Sequence, residues 1–68
     1  MKTLCYVRGG LSMNIPLHLV VVYCVQAPEP IFYFRVSGHT ERHSLRREDY
    51  YNVLAHYESE TKYLQVTI

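Results

Sequence analysis

Residues 15–37 read IPLHLVVVYCVQAPEPIFYFRVS. Two runs rich in β-branched and aromatic residues flank a segment with prolines at positions 28 and 30, which cannot continue a hydrogen-bonded ladder. The reading is a strand over residues 15–25, a turn over 26–30 and a second strand over 31–37 that Gly38 ends. If the two strands pair across that turn, opposing residue numbers sum to 56. One face then sets Cys24, Val22 and Val20 against Phe32, Phe34 and Val36. It is wholly apolar and is the predicted seat of a helix. The other face sets Val25, Tyr23, Val21 and Leu19 against Ile31, Tyr33, Arg35 and Ser37. It is too apolar for water, yet it carries two tyrosines and an arginine.

The rest of the chain falls into place around this hairpin. Residues 2–8 read as a strand ending at Gly9-Gly10, which form a tight turn or open a longer loop through Asn14. Pro16 argues against regular pairing at that point. Ser44 has the chemistry of a helix N-cap for a helix from residue 45 to about 58. Tyr50, Val53, Leu54 and Tyr57 share one stripe of that helix, with Tyr51 off it. Residues 62–68 form a last strand, with Leu64, Val66 and Ile68 on one face. The predicted fold is α+β in the order β-β-β-α-β: a mostly antiparallel four-stranded sheet with one helix on one face, in a single domain spanning residues 1–68.

A chain of 68 residues excludes a two-domain enzyme, a dinucleotide-binding fold and a barrel. A core this small supplies only ~3–5 kcal/mol and commonly needs a staple or a partner. With 49% hydrophobic residues and a net charge of +1, the composition is not that of a disordered chain. One helix covers one face of such a sheet, so the second face is either covered by the N-terminal segment or used in association, with association favoured, through a homodimer or a partner protein.

The near-neutral charge conceals an asymmetry. Lys2, Arg8, Arg35, Arg42, Arg46 and Arg47 outweigh Glu29 and Glu41 in residues 1–47, whereas Glu48, Asp49, Glu58 and Glu60 outweigh Lys62 in residues 48–68. The longest apolar run, residues 17–25, is too short to span a membrane and is interrupted by His18. No leader pattern follows Lys2. Two cysteines, with Cys5 near His18 and far from Cys24 in the expected hairpin, suit free thiols in a reducing, cytoplasmic setting. Met13 lies downstream of Arg8-Gly9-Gly10 at a spacing that a translated ribosome-binding site would give, which makes it a second candidate start.

Three sets of residues have side chains that could carry chemistry. Cys5, Cys24, His39 and His43 have the residue types of a zinc site, but the cysteine spacing is not that of a zinc finger. Cys5 with His18 lacks an orienting acid. His39, Arg42 and His43 beside Tyr50 have the types needed for metal-free RNA cleavage, without a definable cleft. The expectation is therefore no enzyme, no catalytic residue, no metal and no cofactor. What remains is a basic segment, with Arg35, Arg42, Arg46, Arg47, His39 and His43 and nearby Tyr51 as partner-binding candidates. The sheet face with Leu19, Val21, Tyr23 and Tyr33 is the candidate dimer or partner surface. Tyrosine and arginine are typical interface anchors. A protein partner is favoured over a nucleic acid, since the chain is not strongly basic. In size and architecture it is similar to the small inhibitors that phages and plasmids encode against host proteins, anti-CRISPR proteins among them.

Overall fold

The computed structural model describes residues 1–26 and 28–68, which fold as six strands and one helix, an α+β architecture. The elements are β1 (Thr3–Arg8), β2 (Leu11–Pro16), a 3-10 turn (Leu17–Leu19), β3 (Val20–Val25), β4 (Ile31–Val36), β5 (Arg42–Leu45), α1 (Arg47–His56) and β6 (Tyr63–Thr67). They build two three-stranded sheets, ordered β2-β1-β6 and β3-β4-β5, in place of the single four-stranded sheet expected.

The division begins at Gly9-Gly10. Both glycines have positive φ, 54° and 85°, the geometry of a two-residue hairpin whose twist matches its strands. This tight turn makes residues 11–16 a strand paired with β1, with Leu4 opposite Ile15 and Tyr6 opposite Met13. Pro16 then ends β2, and residues 17–19 wind into a 3-10 turn. The long apolar run is thus cut in two, and β3 belongs to the other sheet. Cys5 consequently faces Asn14, not His18, and its thiol donates to the Asn14 Oδ1 at 3.0 Å. Cys5 and Cys24 lie in different sheets, both as free thiols.

The β3–β4 register follows the sum of 56, with Val20 opposite Val36, Val22 opposite Phe34 and Cys24 opposite Phe32. The turn expected over residues 26–30 includes Ala27, which lies outside the described residues. Residues 42–45 form a fifth strand on β4, with Phe32 opposite Leu45 and Phe34 opposite His43. Ser44 is therefore a strand residue opposite Tyr33, and Arg46 takes the N-cap position of a helix that begins later than expected. The reason is packing: Leu45 is buried in the core and His43 stacks on Phe34 at 5.0 Å, and the strand secures both.

The helix buries Asp49, Val53 and His56, one face at spacings of four and three. Leu54 and Tyr57, assigned to the buried stripe by periodicity, are instead 40% and 39% exposed. Asp49 tolerates burial because the Arg46 guanidinium donates to both its carboxylate oxygens, at 2.6 and 3.1 Å. At the other end, Lys2 Nζ donates to the carbonyls of His56 and Tyr57 at 2.9 and 2.6 Å, a cation at the negative end of the helix dipole. Strand β6 runs parallel to β1, with Leu64 beside Leu4 and Val66 beside Tyr6. Ile68 lies beyond the strand and is exposed, not on its apolar face.

The core lies where the two sheets and α1 meet: Leu4, Tyr6, Ile15, Leu17, Val20, Phe32, Phe34, Leu45, Val53 and Val66. No helix among the described residues is long and apolar enough to cross a membrane.

Candidate functional site

Successive strand residues point to opposite faces, so the register assigns each side chain of the β3-β4-β5 sheet. Inward go Val20, Val22, Cys24, Phe32, Phe34, Val36, His43 and Leu45. Outward, in three rows across the strands, go Val25 with Ile31; Tyr23, Tyr33 and Ser44; and Val21, Arg35 and Arg42. The Ser37 amide donates to the Leu19 carbonyl at 2.6 Å, but the Leu19 side chain, expected on this face, belongs to the 3-10 turn and packs half-buried against the core.

Two groups of residues that are separate in sequence meet here. Tyr23 and Tyr33 lie 5.6 Å apart with their rings tilted by 32°. The Arg42 guanidinium sits 4.6 Å over the Tyr33 ring. Arg35 is directly opposite Arg42. Like charges opposed across a strand pair cost stability, and neither arginine has an acidic partner among the described residues. Val21, Val25 and Ile31 flank this centre, 37%, 39% and 44% exposed. An apolar rim, two aromatic rings and two uncompensated guanidinium groups suit a partner that brings carboxylates or other anions.

The remaining members of the basic segment are elsewhere. Arg46 is held by Asp49 and by Glu48 at 3.3 Å, and these acids push its pKa above the ordinary arginine value, chiefly through the hydrogen bonds it donates to Asp49. This ion-paired cap explains how arginine is tolerated at a helix N-terminus that by itself repels cations. Arg47 lies 5.2 Å over the Phe32 ring, and Tyr51 packs near the same ring at 6.3 Å. His43 is turned inward against Phe34 and Tyr6. His39 is exposed in the turn after β4, its amide bonded to the Val36 carbonyl.

Strand alternation therefore sends Arg42 and His43 to opposite faces, and the residues weighed for RNA cleavage do not converge. The four residues weighed for zinc are also dispersed: among the described residues no three His, Cys, Asp or Glu side chains cluster as a metal site. Sequence reasoning missed that Arg42 belongs with the tyrosines. The alternation of Arg42, His43, Ser44 and Leu45, with Leu45 buried, was the available signal. No family model, no curated protein and no solved structure matches this chain.

Proposed function

We propose that this chain is a small protein-binding module that acts by covering an acidic patch on its target, with the outward face of β3-β4-β5 as the contact surface. The observation that carries this reading is the Arg35–Arg42 juxtaposition beside the Tyr23–Tyr33 pair. The fold accepts an electrostatic cost there, at an uncovered face, and local costs of this kind concentrate where function resides. Tyr33 and Tyr23 supply large, stiff contact area, and the arginines supply bidentate donors for carboxylates. Blocking a target by occupancy needs no cleft, which suits a domain of this size.

The same chemistry favours a second reading, in which unpaired bases stack on Tyr23 and Tyr33 while the arginines hold phosphate. One experiment separates the two. The chain is titrated with a random single-stranded oligonucleotide at low and high salt, and in parallel used to capture proteins from its source cell or that cell's host. Under the protein-binding reading, wild type and Arg46→Lys retain one captured protein that Arg42→Glu and Tyr33→Ser both lose, and the oligonucleotide shows no salt-sensitive binding. Salt-sensitive oligonucleotide binding that Tyr33→Ser abolishes transfers the face to nucleic acid.

A further inference from the structure

The described residues leave four sheet edges, on β2, β6, β5 and β3. An open edge is a template for a further strand, and proteins normally blunt it with charge, proline, shortness or a covering group. Two of these edges are blunted by proline, polarity or shortness, and a third is met by a cation at its end. Strand β2 ends in Pro16 and carries Ser12 and Asn14. Strand β5 has only four residues, includes Arg42, and has its Ser44 carbonyl taken by the Tyr6 hydroxyl at 2.9 Å. Strand β6 has its Thr67 carbonyl approached by Arg46 at 3.4 Å. Strand β3 is VVVYCV: six residues without charge or proline.

The polarity of the β3 edge follows from one bond. The Ser37 amide donates to Leu19, so odd-numbered residues of β3 exchange hydrogen bonds with β4 and even-numbered ones point their N–H and C=O outward. At Val20 both groups are occupied: its amide bonds Leu17, and its carbonyl accepts the Tyr57 hydroxyl at 2.6 Å. At Val22 and Cys24 nothing among the described residues takes either group.

We propose that the β3 edge is occupied by β3 of a second copy, antiparallel, with Val22 of each chain opposite Cys24 of the other. That register uses every free group of the two residues, four hydrogen bonds in all by geometry, and leaves the occupied Val20 outside the pairing. It places Tyr23 opposite its own symmetry mate on the two-fold axis. The two sheets become one sheet of six strands, with Tyr33 and Tyr23 of one chain running into Tyr23 and Tyr33 of the other and Arg42 stacked at each end. Val21 meets Val25 of the other chain, so no like charges are brought together across the junction. Leu54, one turn before Tyr57 on the helix side that reaches this edge, is left exposed in the single chain, which continues the apolar surface beyond the strand. The dimer expected from the sequence thus forms through the sheet's edge and not by stacking its faces, and both outward faces stay free. It holds or fails independently of which target those faces bind.

The test uses the full chain. Light scattering on the wild type should give two chains of 8.0 kDa, and Val22→Pro should give one. The Val22 amide points away from β4, so proline there removes dimer bonds while leaving the β3–β4 ladder intact. In a Cys5→Ser, Cys24→Ser background, Tyr23→Cys should form an intermolecular disulfide on mild oxidation with diamide, because a directly opposed pair brings its Cα atoms within bridging distance. Val21→Cys in the same background should not, since its opposite residue is Val25. A wild-type chain that stays a single 8.0 kDa species at millimolar concentration overturns the proposal. Cross-linking at position 21 and not at 23 overturns the register. These readouts survive even if Val22→Pro unfolds, and loss of target capture by Arg42→Glu with an intact dimer separates this result from the proposed function.

Discussion

The Tyr6 ring meets Phe34 edge-on, with 4.8 Å between centroids and 75° between planes. Tyr6 belongs to β1 and Phe34 to β4, so this contact couples the two sheets at the centre of the core, where neither ring is exposed. The Tyr6 hydroxyl then donates to the Ser44 carbonyl on β5. Phe34→Ala should cost about 3–5 kcal/mol, which is comparable with the whole stability expected of so short a chain. Tyr6→Phe keeps the ring contact and leaves a carbonyl short of a donor, at about 1–3 kcal/mol. Urea titration followed by circular dichroism should find the first variant unfolded in buffer and the second folded with a lowered midpoint.

Arg42 and Arg46 should respond in opposite ways to the same change. Arg46→Glu sets three acids together at the start of α1 and strands the buried Asp49 without its donor, so the urea midpoint should fall. Arg42→Glu loses a stack on Tyr33 but gains an opposed pair with Arg35. The two effects nearly cancel, and stability should stay within about 0.5 kcal/mol of wild type. Unfolding data on both variants check this, and a stable Arg42→Glu makes any loss of partner binding a surface effect.

Tyr57 should give the chain an alkaline limit. Partial burial pushes its hydroxyl above the ordinary tyrosine value of 10.0, and the hydroxyl donates to Val20. Because the folded pKa is the higher one, this contribution is complete below the ordinary value and is lost as pH rises through the raised one. Absorbance titration near 295 nm, compared between wild type and Tyr57→Phe, should assign an ionisation above the ordinary tyrosine value to Tyr57. The same substitution removes the hydrogen bond to Val20 and should cost about 0.5–1.5 kcal/mol at neutral pH.

His56 is 4% exposed, and its Nε2 has no hydrogen-bond partner among the described residues. A buried orphan nitrogen costs more than an apolar group of similar shape. His56→Leu should therefore leave stability unchanged or raise it by about 1 kcal/mol, measured as the thermal midpoint. A clear fall would show that the nitrogen meets an ordered water.

A chain beginning at Met13 should not fold. It would lack β1, the central strand of its sheet, together with Leu4 and Tyr6, both fully buried. Proton NMR of the shortened chain should show collapsed amide dispersion.

Hydrophobic patterning exposed the β3–β4 hairpin to the last residue of its register, because alternation and a proline-bounded turn leave one solution there. It failed at residues 11–19 and 42–45. In the first stretch, proline and short polar residues look like a loop, yet a glycine pair with positive φ returns the chain onto β1. In the second, Ser44 before an acidic pair has the composition of a helix start, and only the distant contacts of Leu45 and His43 make it a strand. The candidate site was half legible for the same reason: its tyrosines were placed by the hairpin, while Arg42 reached them through a strand that local composition concealed.

The pairing of Thr3 with Tyr63 also sets a schedule. The central strand of one sheet waits for residues 63–67 before its second neighbour exists, a contact of high sequence separation that slows folding. During synthesis β1 can hold only its hairpin with β2 until residues 63–67 have emerged from the ribosome. A break introduced before residue 67 would remove a structural strand, and because Lys2 and Thr3 are equally engaged, neither the β1 nor the β6 side of this pair tolerates a bulky insertion.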